Sequence, residues 1–398
     1  MHAVADTETL VADGVITPDQ AREIEARARD TMVALAINAI LTFGILAATL
    51  GFIFWLADAL SVAMLGTVLL ILGLGILAKG GETFRMFGNA AALIGAGMLI
   101  GGAAVELLDK YENAAGPVMT LGGLILVGVF AMAFLRWRGA SHFVTGSILL
   151  MGFAFHIFGL GFWLAQNDQA GLVKSVFYLY AAAGLAGLGW LVDVRLVTAL
   201  AIAPFAQMLD TGTAYFHAAY VFYSPEPTLS ILQMALLIVV CMVLAAQVPE
   251  RIARHARILA ILGFIIANLC ALVGSLWGDA IGETIWGPQI AEFSGQDRWS
   301  QFRDAREAFR ATAIVISENV YTVLWAIALA AIIAWAAHRA HRGLFNTAMT
   351  FAAIHAYTQA FESFGDEPLA YVIGGLAAIP LAWAMWRLNQ WLIAEGTA

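Results

Sequence analysis

Charge is scarce in this chain. Only 12% of its 398 residues are charged, about half the roughly 25% of a soluble domain. Hydrophobic residues make up 61%, and the mean hydropathy is +0.82. That composition excludes a soluble globular fold. Basic excess is also lacking: 28 acids outnumber 20 bases, for a net charge of −8. No basic surface is left to hold nucleic acid, which is excluded as a partner. Cysteine is nearly absent. Cys241 and Cys270 sit inside long apolar runs, with neither a disulfide framework nor zinc-type spacing, and read as buried thiols. Lysine is confined to Lys79, Lys110 and Lys174, and the arginine that replaces it fits a GC-rich bacterial genome. A glycine-rich nucleotide loop, a GxSxG elbow, paired CxxC elements and HExxH are all missing. The chain is therefore read as a non-enzyme with no cofactor and no metal.

What is present is a succession of long apolar runs. A bilayer core requires about 20 mostly apolar residues per helix. Runs of that kind fall at 33–57, 59–78, 87–108, 115–135, 141–165, 171–192, 196–222, 228–247, 256–278, 312–337, 341–364 and 368–390. Continuous rather than alternating hydrophobicity selects helices over a barrel. The expected fold is all-α: a polytopic transmembrane helical bundle of about 12 spans. With that count both termini share a side, and most of the bases lie there, among them Arg136, Arg138, Arg195, Arg251, Arg254 and Arg257. The positive-inside bias makes that side cytoplasmic. The expectation is a multi-pass protein of the bacterial inner membrane with both termini in the cytoplasm. The first thirty or so residues are polar and lack the pattern of a secretory signal, which predicts an uncleaved N-terminus.

Three segments lie outside the bundle: 1–32, 279–311 and the tail 391–398. In residues 1–32, Thr17-Pro18-Asp19-Gln20 has the order of a capping box, with proline where no N–H is needed. Gly14 is a plausible stop for a short preceding helix. The unit either docks on the bundle or binds a protein partner. In 279–311, Trp299, Phe302, Arg306 and Phe309 recur at helical spacing among charges, as in a helix lying in the membrane interface, on the outward side. Glycine patterns such as Gly97 with Gly101, and Ala183 with Gly187, permit close helix approach.

The run Leu10-Val11-Ala12-Asp13-Gly14-Val15-Ile16-Thr17-Pro18-Asp19-Gln20-Ala21 is followed by a charged helix and many spans. A glycine-rich span from Leu93 to Gly102, a polar exit from Glu106 to Tyr111 and a span closing on Leu135-Arg136 come next. These features resemble the bacterial membrane-protein family called domain of unknown function 2157, over about the first 140 residues. The resemblance implies an integral membrane protein and supplies no catalytic residues.

Polar side chains inside spans are expensive, on the order of 2.5–3.5 kcal/mol for charged ones. Asp210 lies near the middle of 196–222, where so short a side chain does not reach water. Gln207 and His217 share its helix face, and Pro204 and Gly212 loosen the backbone around it. His355, Gln359 and Glu362 form a second stripe on 341–364, while Glu318 and His156 sit about a third of the way into their spans. These eight residues are candidates for substrate or ion binding, in the manner of transporters whose broken helices carry the site. Two readings follow. One is a secondary transporter or permease linked to protons or cations. The other is a non-catalytic scaffold acting through 1–32 and 279–311. The lipid bilayer is the partner common to both.

Overall fold

The computed structural model describes residues 7–26, 28, 47, 51, 58–79, 85–136, 142–169, 171–209, 226–289 and 292–364, with scattered positions from 369 to 390. Among them, eight helices are long and apolar enough to cross a membrane. They make this a multi-pass architecture built from helices, as its hydropathy implies. The chain divides into two units, Met1–Asp168 and Gln169–Ala398.

The first unit opens with α1 (Thr7–Ala12) and α2, seen through residues 18–26. The capping box forms: Thr17 N–H donates to Gln20 Oε1 at 2.9 Å and Gln20 N–H to Thr17 Oγ1 at 3.2 Å. Gly14, at φ +70°, takes the left-handed turn that ends α1. Two antiparallel hairpins follow, α3 (Ala59–Lys79) with α4 (Arg85–Lys110), and α5 (Glu112–Arg136) with α6 (His142–Gln166).

Both hairpins close on glycines spaced seven residues apart, two helical turns, so that each pair shares a face. In the first, a Cβ on Gly66 would lie 2.4 Å from Leu99 N, one on Gly73 2.3 Å from Ala92 N, and one on Gly95 2.2 Å from Leu70 N; Gly102 backs on Ala59 and Ala63. In the second, Gly123 meets the His156 backbone at 2.4 Å and Gly159 meets Met119 Cβ at 2.5 Å, with Gly116 and Gly152 continuing the seam. Backbone therefore packs on backbone, which drives helix association where lipid is as apolar as any side chain. Of the glycines whose spacing permits close approach, Gly101 has nothing within 4 Å. Gly187 likewise faces open space. Small residues are common in such helices, and only register decides which of them meet a neighbour.

The second unit contains α7 (Leu172–Leu191), α8 (Arg195–Leu200), α9 (Ile202–Gln207), α10 (Pro227–Gln247) and α11 (Glu250–Trp277). After these come β1 (Asp279–Ala280), α12 (Glu283–Trp286), α13 (Arg298–Thr312), β2 (Val315–Ile316), α14 (Glu318–His338) and α15 (Arg342–Phe364). Both α10 and α14 pack on α11, and α15 packs on α14. Ala271, Trp325, Leu329, Ala348 and Phe351 form the buried core where α11, α14 and α15 meet.

Three expectations change. The run 196–222 is not one continuous helix over its described part: α8 stops at Leu200, whose carbonyl lacks the partner that Pro204 removes, and α9 restarts beyond Ala201. The run 312–337 begins late, because 315–316 pair antiparallel with 279–280 (Asp279 opposite Ile316) and α14 starts only at Glu318. This two-stranded ribbon is a local departure from the all-α reading. Finally, 341–364 folds as α15 but is too polar to stand among the eight candidate spans. The runs 33–57 and 368–390 lie essentially outside the described residues, so a count of 12 is not established.

Candidate functional site

In the second unit, three element ends converge: the N-terminus of α10, the C-terminus of α11 with β1, and the N-terminus of α14. Pro227 opens α10 at a position with no N–H to lose. The next residue, Thr228, donates its backbone N–H to Asp279 Oδ2 at 2.9 Å, and its hydroxyl bonds the same oxygen. Tyr321 in the first turn of α14 donates from Oη to Asp279 Oδ2 at 3.1 Å and stands 2.5 Å from Thr228 Oγ1. Gly274 makes this possible. A Cβ there would sit 2.6 Å from the Tyr321 ring, so only glycine lets the ring lie on α11 with its hydroxyl at the carboxylate. Helix N-termini pointing at an acid also favour negative charge there.

Asp279 is 6% exposed, and its other oxygen, Oδ1, is buried without a hydrogen-bond partner. A second buried carboxylate, Glu226, is fully used: it accepts from Gly282 N–H at 2.7 Å and Thr284 N–H at 3.0 Å, pinning the turn before α12. Among the described residues, neither acid makes an ion pair. Glu283 takes the nearby cations instead, bonding Arg306 and accepting from Arg310 NH2 at 2.8 Å, which ties α13 to α12. Buried charge without a counter-charge is strongly disfavoured. Asp279 Oδ2, Thr228 Oγ1 and Tyr321 Oη make three mutual contacts. With the carboxyl ionised, only two hydroxyl protons serve those three contacts. A proton delivered to Asp279 would supply the third.

Beside this network lies a cleft of about 410 Å³ between α10, α11 and α14, its walls almost wholly apolar, within the roughly 300–1,000 Å³ of small-molecule sites. Thr228 and Tyr321 line one part of it, and Asn268 and Trp325 another. The Asn268 amide donates to the Phe264 carbonyl at 2.7 Å, presenting Oδ1 to Trp325 Nε1–H at 2.9 Å. The Trp325 ring then packs 4.5 Å, centre to centre, from His355.

The sequence-derived candidates separate. His355 is buried against Trp325 with Nδ1 unpartnered, and Gln359, one turn on, is half-buried with Nε2 unpartnered. Glu362 is exposed. Glu318 is exposed in the first turn of α14, so its placement a third of the way into a span is corrected: the β pairing moves the helix start to that residue. Gln207 ends α9, half-buried. His156 belongs to the first unit, where Nδ1–H donates to the Thr120 carbonyl at 2.8 Å. Asp210 and His217 lie outside the described residues. No group of three or more metal-ligating side chains occurs among the described residues.

Asp279, Glu226, Thr228, Tyr321, Asn268 and Trp325 were missed. Asn268 carried a legible signal, as a lone amide in the middle of an apolar run. Asp279 and Glu226 read as ordinary span-flanking acids, and nothing in sequence spacing shows that their ends of the helices meet.

A second polar cluster is a clamp. Thr198, His255 and Asp193 stand in the order of a nucleophilic triad, with the Thr198 hydroxyl 2.6 Å from His255 Nδ1 and His255 Nε2 3.0 Å from Asp193 Oδ1. Thr198 is 1% exposed, and a Cβ on Gly189 would lie 2.4 Å from its hydroxyl, so no substrate reaches it. The His255 hydrogen bond holds the Asp193 carboxyl below its ordinary value, with Arg251 and Arg254 adding to the effect. No protein-family model, curated protein or solved structure matches this chain.

Proposed function

We propose that this is a proton-linked permease of the bacterial inner membrane, and that Asp279 is its proton-carrying group. The observation that carries the reading is the buried Asp279 carboxyl, with no ion pair among the described residues, one idle oxygen, and the Thr228 and Tyr321 hydroxyls gathered on the other. The start of α11 bears Arg251, Arg254 and Arg257. The positive-inside bias makes that end cytoplasmic and the Asp279 end outward. Asp210 stays a sequence-based candidate for a second carboxylate in the same pathway. We also propose kinship with the domain of unknown function 2157 family, on the residues between Leu10 and Arg136 that resemble it.

The test is proton flux into proteoliposomes holding a trapped pH-sensitive dye, driven by an imposed potential. Wild type conducts, Asp279→Asn falls to the rate of empty vesicles, and Tyr321→Phe is intermediate. A wild-type rate in folded, inserted Asp279→Asn ends the reading. The scaffold alternative draws on exposed apolar residues in the N-terminal unit, Val15 at 66% and Ile24 at 44%. It requires Asp279→Asn to be silent and deletion of 1–32 to remove a co-purifying protein.

A further inference from the structure

We infer that the cleft between α10, α11 and α14 takes a single-chain amphiphile from the bilayer, its apolar tail in the cleft and its small hydrogen-bond-donating head on the Thr228 and Tyr321 hydroxyls. The inference deepens the permease reading, and rests on it for the purpose of binding though not for binding itself. The cleft exists because α10 and α14 both pack on α11. Its rim includes Leu232 and Leu324, which are 61% and 60% exposed on helices long enough to span the membrane, so among the described residues the cleft opens on an apolar outer face suited to lipid.

The chemistry of the lining selects the ligand. At about 410 Å³, the volume is two to three times the roughly 150 Å³ cavity that accommodates benzene. Left empty, walls of this kind lose their dispersion contacts. Most of the polar groups at the surface are already satisfied: the Trp325 indole by Asn268, and the Asn268 amide in part by the Phe264 carbonyl. The hydroxyl protons of Thr228 and Tyr321 are taken up within their cluster with Asp279, which leaves lone pairs as acceptors. A charged or multiply polar solute finds no partners here. Hydrocarbon alone gains little, because the surrounding lipid is equally apolar. Preference over bulk lipid arises at the one polar end, from a head that donates a hydrogen bond where no water competes. An alcohol or a protonated acid on a chain meets that description.

The experiment uses the full chain in proteoliposomes with a diazirine-bearing, alkyne-tagged dodecanol, photolysed and mapped by mass spectrometry. Adducts concentrate on the peptides carrying Ile231, Leu232, Leu324 and Ala328. Unlabelled dodecanol competes about tenfold better than dodecane, the scale of one hydrogen bond in a membrane. Ala328→Trp, at an exposed rim position, lowers labelling without disturbing the fold. Adducts spread evenly over lipid-facing positions such as Val239 and Val243, or equal competition by the alkane, overturn the inference. Selective labelling together with proton flux that ignores Asp279→Asn sinks the permease reading alone and leaves the ligand site standing.

Discussion

The two units handle polar groups in opposite ways. In the first, glycine seams bring α3 onto α4 and α5 onto α6 until backbone meets backbone, and the buried His156 is satisfied by a carbonyl of the neighbouring helix. In the second, the helices are held partly by buried polar side chains: Asn268 with Trp325, Glu226 with the turn before α12, and Asp279 with Thr228 and Tyr321. It also retains a cleft. Close-packed glycine seams leave no room for a ligand or a moving proton. A polar network with an unused oxygen does, and for that reason the proposed site belongs to the second unit.

The contrast breaks most severely at Gly95. Gly95→Ala puts a methyl group against the Leu70 backbone, and such overpacking costs about 1–3 kcal/mol or more. Thermal unfolding in detergent should show a large fall. Gly101→Ala, one residue before the seam's Gly102 but facing open space, should be neutral or gain up to about 1 kcal/mol from backbone entropy. Equal effects at the two positions would mean that the seam does not hold the hairpin.

In the second unit the matching test is Trp325→Phe, which leaves Asn268 Oδ1 buried without its donor and should cost about 1–3 kcal/mol. Adding Asn268→Leu should recover part of that loss, because the orphaned acceptor is then gone. A double variant less stable than both singles would show that the pair acts by packing rather than by hydrogen bonding.

The smallest effect is electrostatic. Asp193 has a folded-state pKa lowered from the ordinary 3.8, first by the His255 hydrogen bond. A depressed acid contributes stability that is full above its unfolded value and is lost as pH falls through the folded one. Wild type should therefore lose stability more steeply than Asp193→Asn once pH drops below about 4, as followed by unfolding between pH 6 and pH 3. Parallel curves would remove Asp193 from the clamp.

Much of the fold was legible without coordinates. Hydropathy located each of the eight long helices, and the order Thr17-Pro18-Asp19-Gln20 announced a capping box that forms as read. The site was legible only in part. His355 and Gln359 were singled out as costly polar residues, and both are buried or half-buried with an unpartnered nitrogen. Glu318 was misplaced because the ribbon of 279–280 with 315–316 is a long-range pairing that no local periodicity reveals. Asp279 was passed over because an acid at the end of an apolar run is ordinarily solvated.

The sequence by itself determined that this chain forms apolar helices of membrane-crossing length, since that follows from composition summed over some twenty residues and needs no partner. Tertiary structure alone decided which glycines touch a neighbouring backbone, which acids lose their water, and where a cleft remains. Those outcomes depend on the register and crossing of helices distant in sequence. Gly95 and Gly101 are the same residue on the same helix, and only the position of α3 makes one indispensable and the other free.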